Sequence, residues 1–311
     1  MKLVRKTMLL GAAALSLALA SMGSARADSF AQSILVIDNF RLLHSSGTAF
    51  NVTDFGLLTG TNDAHATGQL NGVFANGVQS FGILSGINPD VPHQTVGAPS
   101  PARPENNFTP FAGPPPVPGT FGYADQNLTG SSITIGMAPA GALAQTRADA
   151  SLAMNGMASG NSDVGTSTTF NFTLGVGDTM TVAFDGTAFT QAYVAAGSTA
   201  TTNANARLSW SINIIDISTG LTVFSYQPTE LNALSNVSRT DGMPGTTTYN
   251  PGTLAFSATT PLLNTTDTYQ ITIQHNTLAN ALQAQALPEP GTLAIFGIGL
   301  LGMTALSRRR K

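Results

Sequence analysis

The chain has 311 residues, a formal net charge of −3 and only 9% Asp, Glu, Lys and Arg, where an ordinary globular domain carries about a quarter. That sparsity excludes a basic face for nucleic acid and an acidic solvated tail. The absence of cysteine excludes disulfides, thiolate metal sites and cysteine nucleophiles.

The first 27 residues read as an export signal. Lys2, Arg5 and Lys6 form a positive n-region, and Thr7 to Ala20 is a 14-residue apolar stretch. Ala25 and Ala27 then place small residues at the two positions a signal peptidase reads. Cleavage after Ala27 leaves Asp28 at the new N-terminus. A retained anchor is the alternative, but the apolar stretch is too short to span a bilayer comfortably.

Abundant glycine and proline disfavour long helices in the body and suit short strands joined by turns. Residues 28–87 form its first part. Ser33 to Leu43 is apolar and β-branched and predicts a buried strand; Thr59 to Gly68 reads as turn-rich, between shorter candidate strands at Val52–Leu58 and Val73–Leu84. Residues 88–119 contain ten of the 17 prolines. They exclude central strands and helices and predict a long loop or linker, with a ligand for an aromatic groove as the functional alternative.

Residues 120–286 carry the clearest strand signals. Ala142 to Met157 lacks a helix cap and a clean 3.6-residue period, so strand and turn are expected there. Ser167 to Leu174 alternates Phe170, Phe172 and Leu174 with polar residues, and Thr179 to Asp185 alternates Met180, Val182 and Phe184. With Gly175 to Asp178 between them, the two predict a hairpin. A second hairpin is predicted from Ala206–Ile217 and Leu221–Gln227, and further strands from Gly252–Thr260 and Asp267–Asn276. One apolar face per strand argues for two packed antiparallel sheets. The expected fold is all-β, a jelly-roll-like antiparallel β-sandwich. Ala-Asp-x-x-Leu occurs at both Ala124 and Ala148, too short an echo to establish a repeat.

Residues 287–311 have a different character. Gly291 to Leu306 is 16 residues without a charge, a helix of about 24 Å against a hydrocarbon core of ~30 Å. Gly297, Gly299 and Gly302 weaken it further. Arg308, Arg309, Arg310 and Lys311 hold its end cytoplasmic, which places the body outside. Pro288 and Pro290 keep the segment before it extended. A permanent tail anchor is one reading; the marginal length and the glycines favour a transient one.

Pro288-Glu289-Pro290, the Gly-containing apolar run and the terminal basic cluster resemble the PEP-CTERM sorting signal. The resemblance covers 287–311 alone. It implies recognition by exosortase, an integral-membrane cysteine transpeptidase of Gram-negative bacteria, cleavage near the Pro-Glu-Pro and loss of the anchor. It further implies delivery to the cell surface or exopolysaccharide matrix. Signal peptidase and the Sec machinery are the other processing partners, and the membrane is met only through the anchor.

Catalytic spacing is lacking. No G-x-S-x-G elbow occurs, and His44, His65, His93 and His275 stand singly, without the spacing of a zinc site. Asp38, Asp185, Asp216 and Glu230 are candidate acids for a glycosidase, which needs two that converge. Asp178 and Asp241 could offer oxygens to calcium but read as turn formers. Trp210 alternates in phase with Leu208 and Ile212 and is expected in the core; Tyr193, Tyr226 and Tyr249 are better placed for sugar contact. No catalytic residue, metal or cofactor is assigned. The expectation is a non-enzymatic structural or matrix-associated protein. A carbohydrate-binding or adhesion module, with extracellular polysaccharide as partner, and a polysaccharide-active hydrolase are the alternatives.

Overall fold

The computed structural model describes residues 29–99, 102–111, 119–153, 155–164, 168–196, 202–238 and 244–283. Both terminal signals, Asp241 and most of the Gly113–Gly119 proline run lie outside these residues. The described part is nearly all β. In chain order its strands are β1 (Ser29–Leu43), β2 (Phe55–Leu70), β3 (Val73–Gly82), β4 (Gln94–Gly97), β5 (Phe121–Thr129), β6 (Ala142–Leu152), β7 (Gly156–Val164) and β8 (Thr168–Leu174). There follow β9 (Thr181–Val194), β10 (Asn203–Asp216), β11 (Leu221–Tyr226), β12 (Leu234–Ser238), β13 (Gly245–Tyr249), β14 (Thr253–Thr259) and β15 (Tyr269–Gln283).

These strands build two antiparallel sheets that face each other. The first runs β13–β9–β1–β6–β5–β4, with β14 also on β9. The second runs β11–β10–β15–β7–β2–β3, with β12 also on β10 and β8 between β15 and β2. β1 is paired along both edges, to β6 and β9, and from Ser29 to Leu35 both of its faces are buried, which explains why its sequence is apolar with little alternation. Strands from both sides of the proline-rich segment therefore share each sheet.

Several expected elements are present. β10 and β11 form the second hairpin, with Asp216 opposite Leu221. Ala142 to Met157 is strand and turn, split between β6 and the start of β7. The first hairpin is not present: β8 belongs to the second sheet and β9 to the first. Gly175 N–H donates to Asp54 O (2.8 Å), and Asp178 and Leu263 exchange backbone hydrogen bonds, so the connection crosses between layers. Apolar alternation fixes which face of a strand is buried but not which sheet the strand joins. Thr59 to Gly68, expected as turns, is the middle of β2. Its glycines are there for contact: a Cβ on Gly68 would lie 2.7 Å from Gln94 O.

The core changes character along the molecule. At one end Phe40, Phe50, Phe55, Phe172, Phe184 and Trp210 fill the space between the sheets. At the other the filling is small: Ala31, Ala148, Ala150, Ala158, Ala204, Ala206, Ala279 and Ala281, with a few larger residues such as Leu152. There the backbones of opposite sheets touch. A Cβ on Gly160 of β7 would sit 2.0 Å from Tyr123 O of β5, and one on Gly122 of β5 would sit 2.2 Å from both Gln69 O and Ser159 O. Face-to-face sheets ordinarily stand about 10 Å apart, so this end is unusually close.

Candidate functional site

The outward face of the second sheet carries rows of uncharged amides and hydroxyls on β10, β15, β7, β8 and β2, while β3 adds exposed Phe74 and Val78 at its edge. Antiparallel register puts Asn205 opposite Asn280, Ser209 opposite Asn276 and Asn213 opposite Thr272. Side chains then bond across strands: Asn276 Nδ2 donates to Asn161 Oδ1 (2.8 Å), Gln270 Nε2 to Asn171 Oδ1 (3.1 Å), and Ser159 Oγ to Gln69 Oε1 (2.8 Å). Charge enters at few positions, Asp63 and Arg207 among them. Arg207, Ser209, Gln274, Asn276 and Leu278 line a shallow hollow of about 210 Å³. Uncharged amides and hydroxyls both donate and accept, the chemistry that matches a neutral polyol.

Of the candidate acids, the structure brings two together. Asp38 on β1 is directly opposite Asp185 on β9, beside a break in register before Arg41. Asp216 instead caps the β10–β11 turn, accepting from Ser218 N–H (2.8 Å) and Thr219 Oγ1 (2.8 Å); that hydroxyl is the main reason its pKa is lowered. Glu230 lies near Tyr226 and Tyr249, and burial followed by its negative charge raises both phenol pKa values. These two tyrosines are half-buried against the aromatic core. Tyr193 is half-buried on β9.

Asp178 is engaged by protein. His44 Nδ1 lies 2.8 Å from Asp178 Oδ2 and its Nε2 2.9 Å from Asp54 Oδ2, while the ring stacks on Phe50 at 3.8 Å. An imidazole can donate to two carboxylates only as the imidazolium. Burial works against that charge, but the hydrogen bonds and charges of Asp178 and Asp54 prevail and the pKa is raised.

Sequence reasoning missed a buried polar network beneath the proline-rich segment. Arg147 and Asp149 of β6 are fully buried and joined at 2.6 Å. Arg147 also donates to the backbone oxygens of Asn107 (3.0 Å) and Thr109. Asp125 Oδ2 accepts from Asn106 N–H (2.9 Å) and Tyr123 Oη (2.9 Å). Arg103 stacks 3.2 Å over Phe111, and burial lowers its pKa to about 10. The segment expected as a loop or linker is thus strapped to the first sheet. The available signal was the Ala-Asp echo, since Asp125 faces Arg147 and Tyr123 faces Asp149 across β5 and β6.

The remaining histidines lie in separate surroundings. His93 pairs with Glu105 at 2.5 Å, and His65 is on β2. Among the described residues no group of three His, Cys, Asp or Glu is placed to hold a metal. Trp210 is 1% exposed, as expected, and it also walls an internal cleft of about 300 Å³.

Neither a curated protein nor a solved structure matches the chain. Ala25, Ala27, Pro288, Glu289, Pro290 and the basic tail Arg308 to Lys311 lie outside the described residues. The family model for the PEP-CTERM protein-sorting motif matches residues 286–311, so the chain carries this motif, which implies an exported, exosortase-processed protein of the cell surface.

Proposed function

We propose that the protein is a non-catalytic component of the cell surface or exopolysaccharide matrix of a Gram-negative bacterium. Its signal peptide is removed after Ala27 and its C-terminal transmembrane helix near Pro288-Glu289-Pro290. The freed body is a β-sandwich of jelly-roll type that lies against neutral polysaccharide through the outward face of its second sheet. The observation that carries this reading is the sorting motif at 286–311; the amide-and-hydroxyl face supports the choice of partner. Intact mass of the protein from exosortase-positive and exosortase-null cells tests the delivery: a shorter C-terminus is expected in the first alone. Co-sedimentation of the released body with neutral exopolysaccharide tests the partner. Binding should fall in Gln274→Ala/Asn276→Ala, and no co-sedimentation at all would defeat the matrix reading.

A second reading, polysaccharide hydrolysis, has one observation in its favour. Residues directly opposite on an antiparallel pair have Cβ atoms roughly 5 Å apart, which lets two carboxyl groups reach the roughly 5 Å separation of a retaining glycosidase, and Asp38 and Asp185 are so placed. Reducing-end release from the same polysaccharide, lost in Asp185→Asn, is the result that would favour it.

A further inference from the structure

The internal cleft lies between the inner faces of the two sheets. Its walls are Phe40, Phe170, Trp210, Leu128, Ile83 and Ile273, among other apolar groups, and no charged residue lines it. Leu84 of the lining and its neighbours in the same loops, Ile87 and Met137, are 45, 55 and 101% exposed, so apolar side chains stand free at this end of the cleft. At about 300 Å³ it has the size of a small-molecule site. With water's share of liquid volume near 30 Å³, it holds roughly ten non-hydrogen atoms.

A row of polar atoms without partners among the described residues starts at this cleft, at His275, and continues beside it across β1, β6 and β5. His275 lines it and is fully buried; its Nε2–H donates to Leu35 O (3.1 Å), while Nδ1 has no partner. Leu35 is opposite Thr146, and Thr146 is opposite Gln126. Both are fully buried, and Thr146 Oγ1, Gln126 Oε1 and Gln126 Nε2 are likewise unpartnered. Buried polar groups in folded proteins are satisfied by protein, water or ligand, and each left unpaired is destabilising. Four such atoms in and beside one row form a set of donors and acceptors that nothing among the described residues completes. Burial holds the imidazole neutral, its pKa lowered to about 4, so Nδ1 is an acceptor.

We infer that the cleft between the sheets is a binding site for a neutral amphiphile: an apolar body of about ten non-hydrogen atoms bearing a hydroxyl head that donates to His275 Nδ1. The apolar body contacts Trp210, Phe40 and Phe170, and the hydroxyl sits beside Thr146 and Gln126. A carboxylate is excluded because no cation lines the cleft to offset its desolvation. An unsubstituted alkane leaves the polar row unpaired and binds less well. The site is separate from the outward polysaccharide face and does not depend on it.

Trp210 is the only tryptophan in the chain, which makes its fluorescence a local reporter. The exported, processed protein is titrated with 6-bromo-1-decanol, whose mid-chain bromine lies in the part of the body that meets Trp210, opposite His275, and quenches tryptophan on contact, and in parallel with 5-bromodecane and 6-bromodecanoate. Saturable quenching by the alcohol is expected, at least tenfold weaker binding of the alkane, and none by the carboxylate over the same range. His275→Phe should bring the alcohol down to the level of the alkane. Ala144→Phe, which fills the cleft from β6, should abolish quenching by both. Absence of saturable quenching by the alcohol would overturn the proposal, as would alkane or carboxylate binding equal to it, or quenching unchanged in Ala144→Phe. If His275→Phe fails to fold, the alcohol-to-alkane ratio of the unmodified protein and Ala144→Phe still decide.

Discussion

The alanine end and the aromatic end of the core solve one problem in opposite ways. At the aromatic end the sheets stand apart and large rings fill the gap: Phe184 lies 4.6 Å from Trp210 and 5.2 Å from Phe256, centroid to centroid. At the alanine end the sheets approach until the carbonyls of Gln69, Ser159 and Tyr123 occupy the places where the side chains of Gly122 and Gly160 would be. Small residues bury less apolar area each, but close approach brings backbone atoms into dispersion contact. The difference teaches that a wedge-shaped interior needs no change of topology, only a gradient in side-chain volume. The cleft lies where the gradient leaves space unfilled.

Substitutions on each side can break that comparison. The largest effect is expected at Gly160. Its added Cβ meets backbone at 2.0 Å, and backbone has little room to yield, so Gly160→Ala should lose more than about 4 kcal/mol in urea denaturation. A loss under 1 kcal/mol would mean the sheets do not converge. Next is Trp210→Ala, where a fully buried ring is removed at the wide end; about 3–5 kcal/mol is expected, read in the same assay.

The third prediction concerns the boundary between the two ends. His275 has its folded pKa lowered from 6.5 to about 4, chiefly by burial, with the Leu35 hydrogen bond acting the other way. The unfolded chain therefore takes up a proton at a pH where the folded one does not, and stability falls as pH drops from 6.5 towards 4. At about 1.4 kcal/mol per pKa unit the loss approaches 3 kcal/mol. It should vanish in His275→Phe, measured by chemical denaturation at pH 7, 5.5 and 4.

His44, at the rim of the aromatic end, should show the smallest effect and the opposite slope. Its folded pKa is raised despite burial, through Asp178 and Asp54. Its contribution is therefore complete below pH 6.5 and lost as pH rises through the folded value. The site is partly open to solvent, so His44→Gln should cost less than about 1 kcal/mol at pH 5.5 and still less at pH 9.

Much of this architecture is legible in the chain. β1 follows from its apolar, β-branched run; the β10–β11 hairpin, β14 and the first half of β15 follow from apolar alternation and turn residues, and Trp210 is placed by its phase. The second half of β15, Thr277 to Gln283, is rich in Ala, Asn, Leu and Gln and offers no strand signal; its neighbours β10 and β7 decide it, as tertiary context overrides weak local preference. β2 is hidden for a related reason. Gly60 and Gly68 suggest turns, yet both are places where opposing atoms leave no room for a side chain. The Ala-Asp echo marked two members of the network around Arg147 but not the network itself, because Arg147's partners come from positions 32 to 149 and the fold brings them to one face. The outward amide face was legible as composition but not as a surface, because register across five strands of the second sheet creates it.

One central strand of each sheet lies next to an address. β1 begins at Ser29, next to the proposed cut after Ala27, and β15, paired along both edges, ends at Gln283, three positions before the sorting motif begins at 286. On the proposed delivery route the second sheet, which contains β15, cannot close until the last stretch before the anchor has crossed the membrane. Completion of that sheet and arrival of the anchor are then one event in time. The cutting enzyme meets its substrate with a finished sheet at most about 20 Å from the Pro-Glu-Pro, the reach of five or six extended residues.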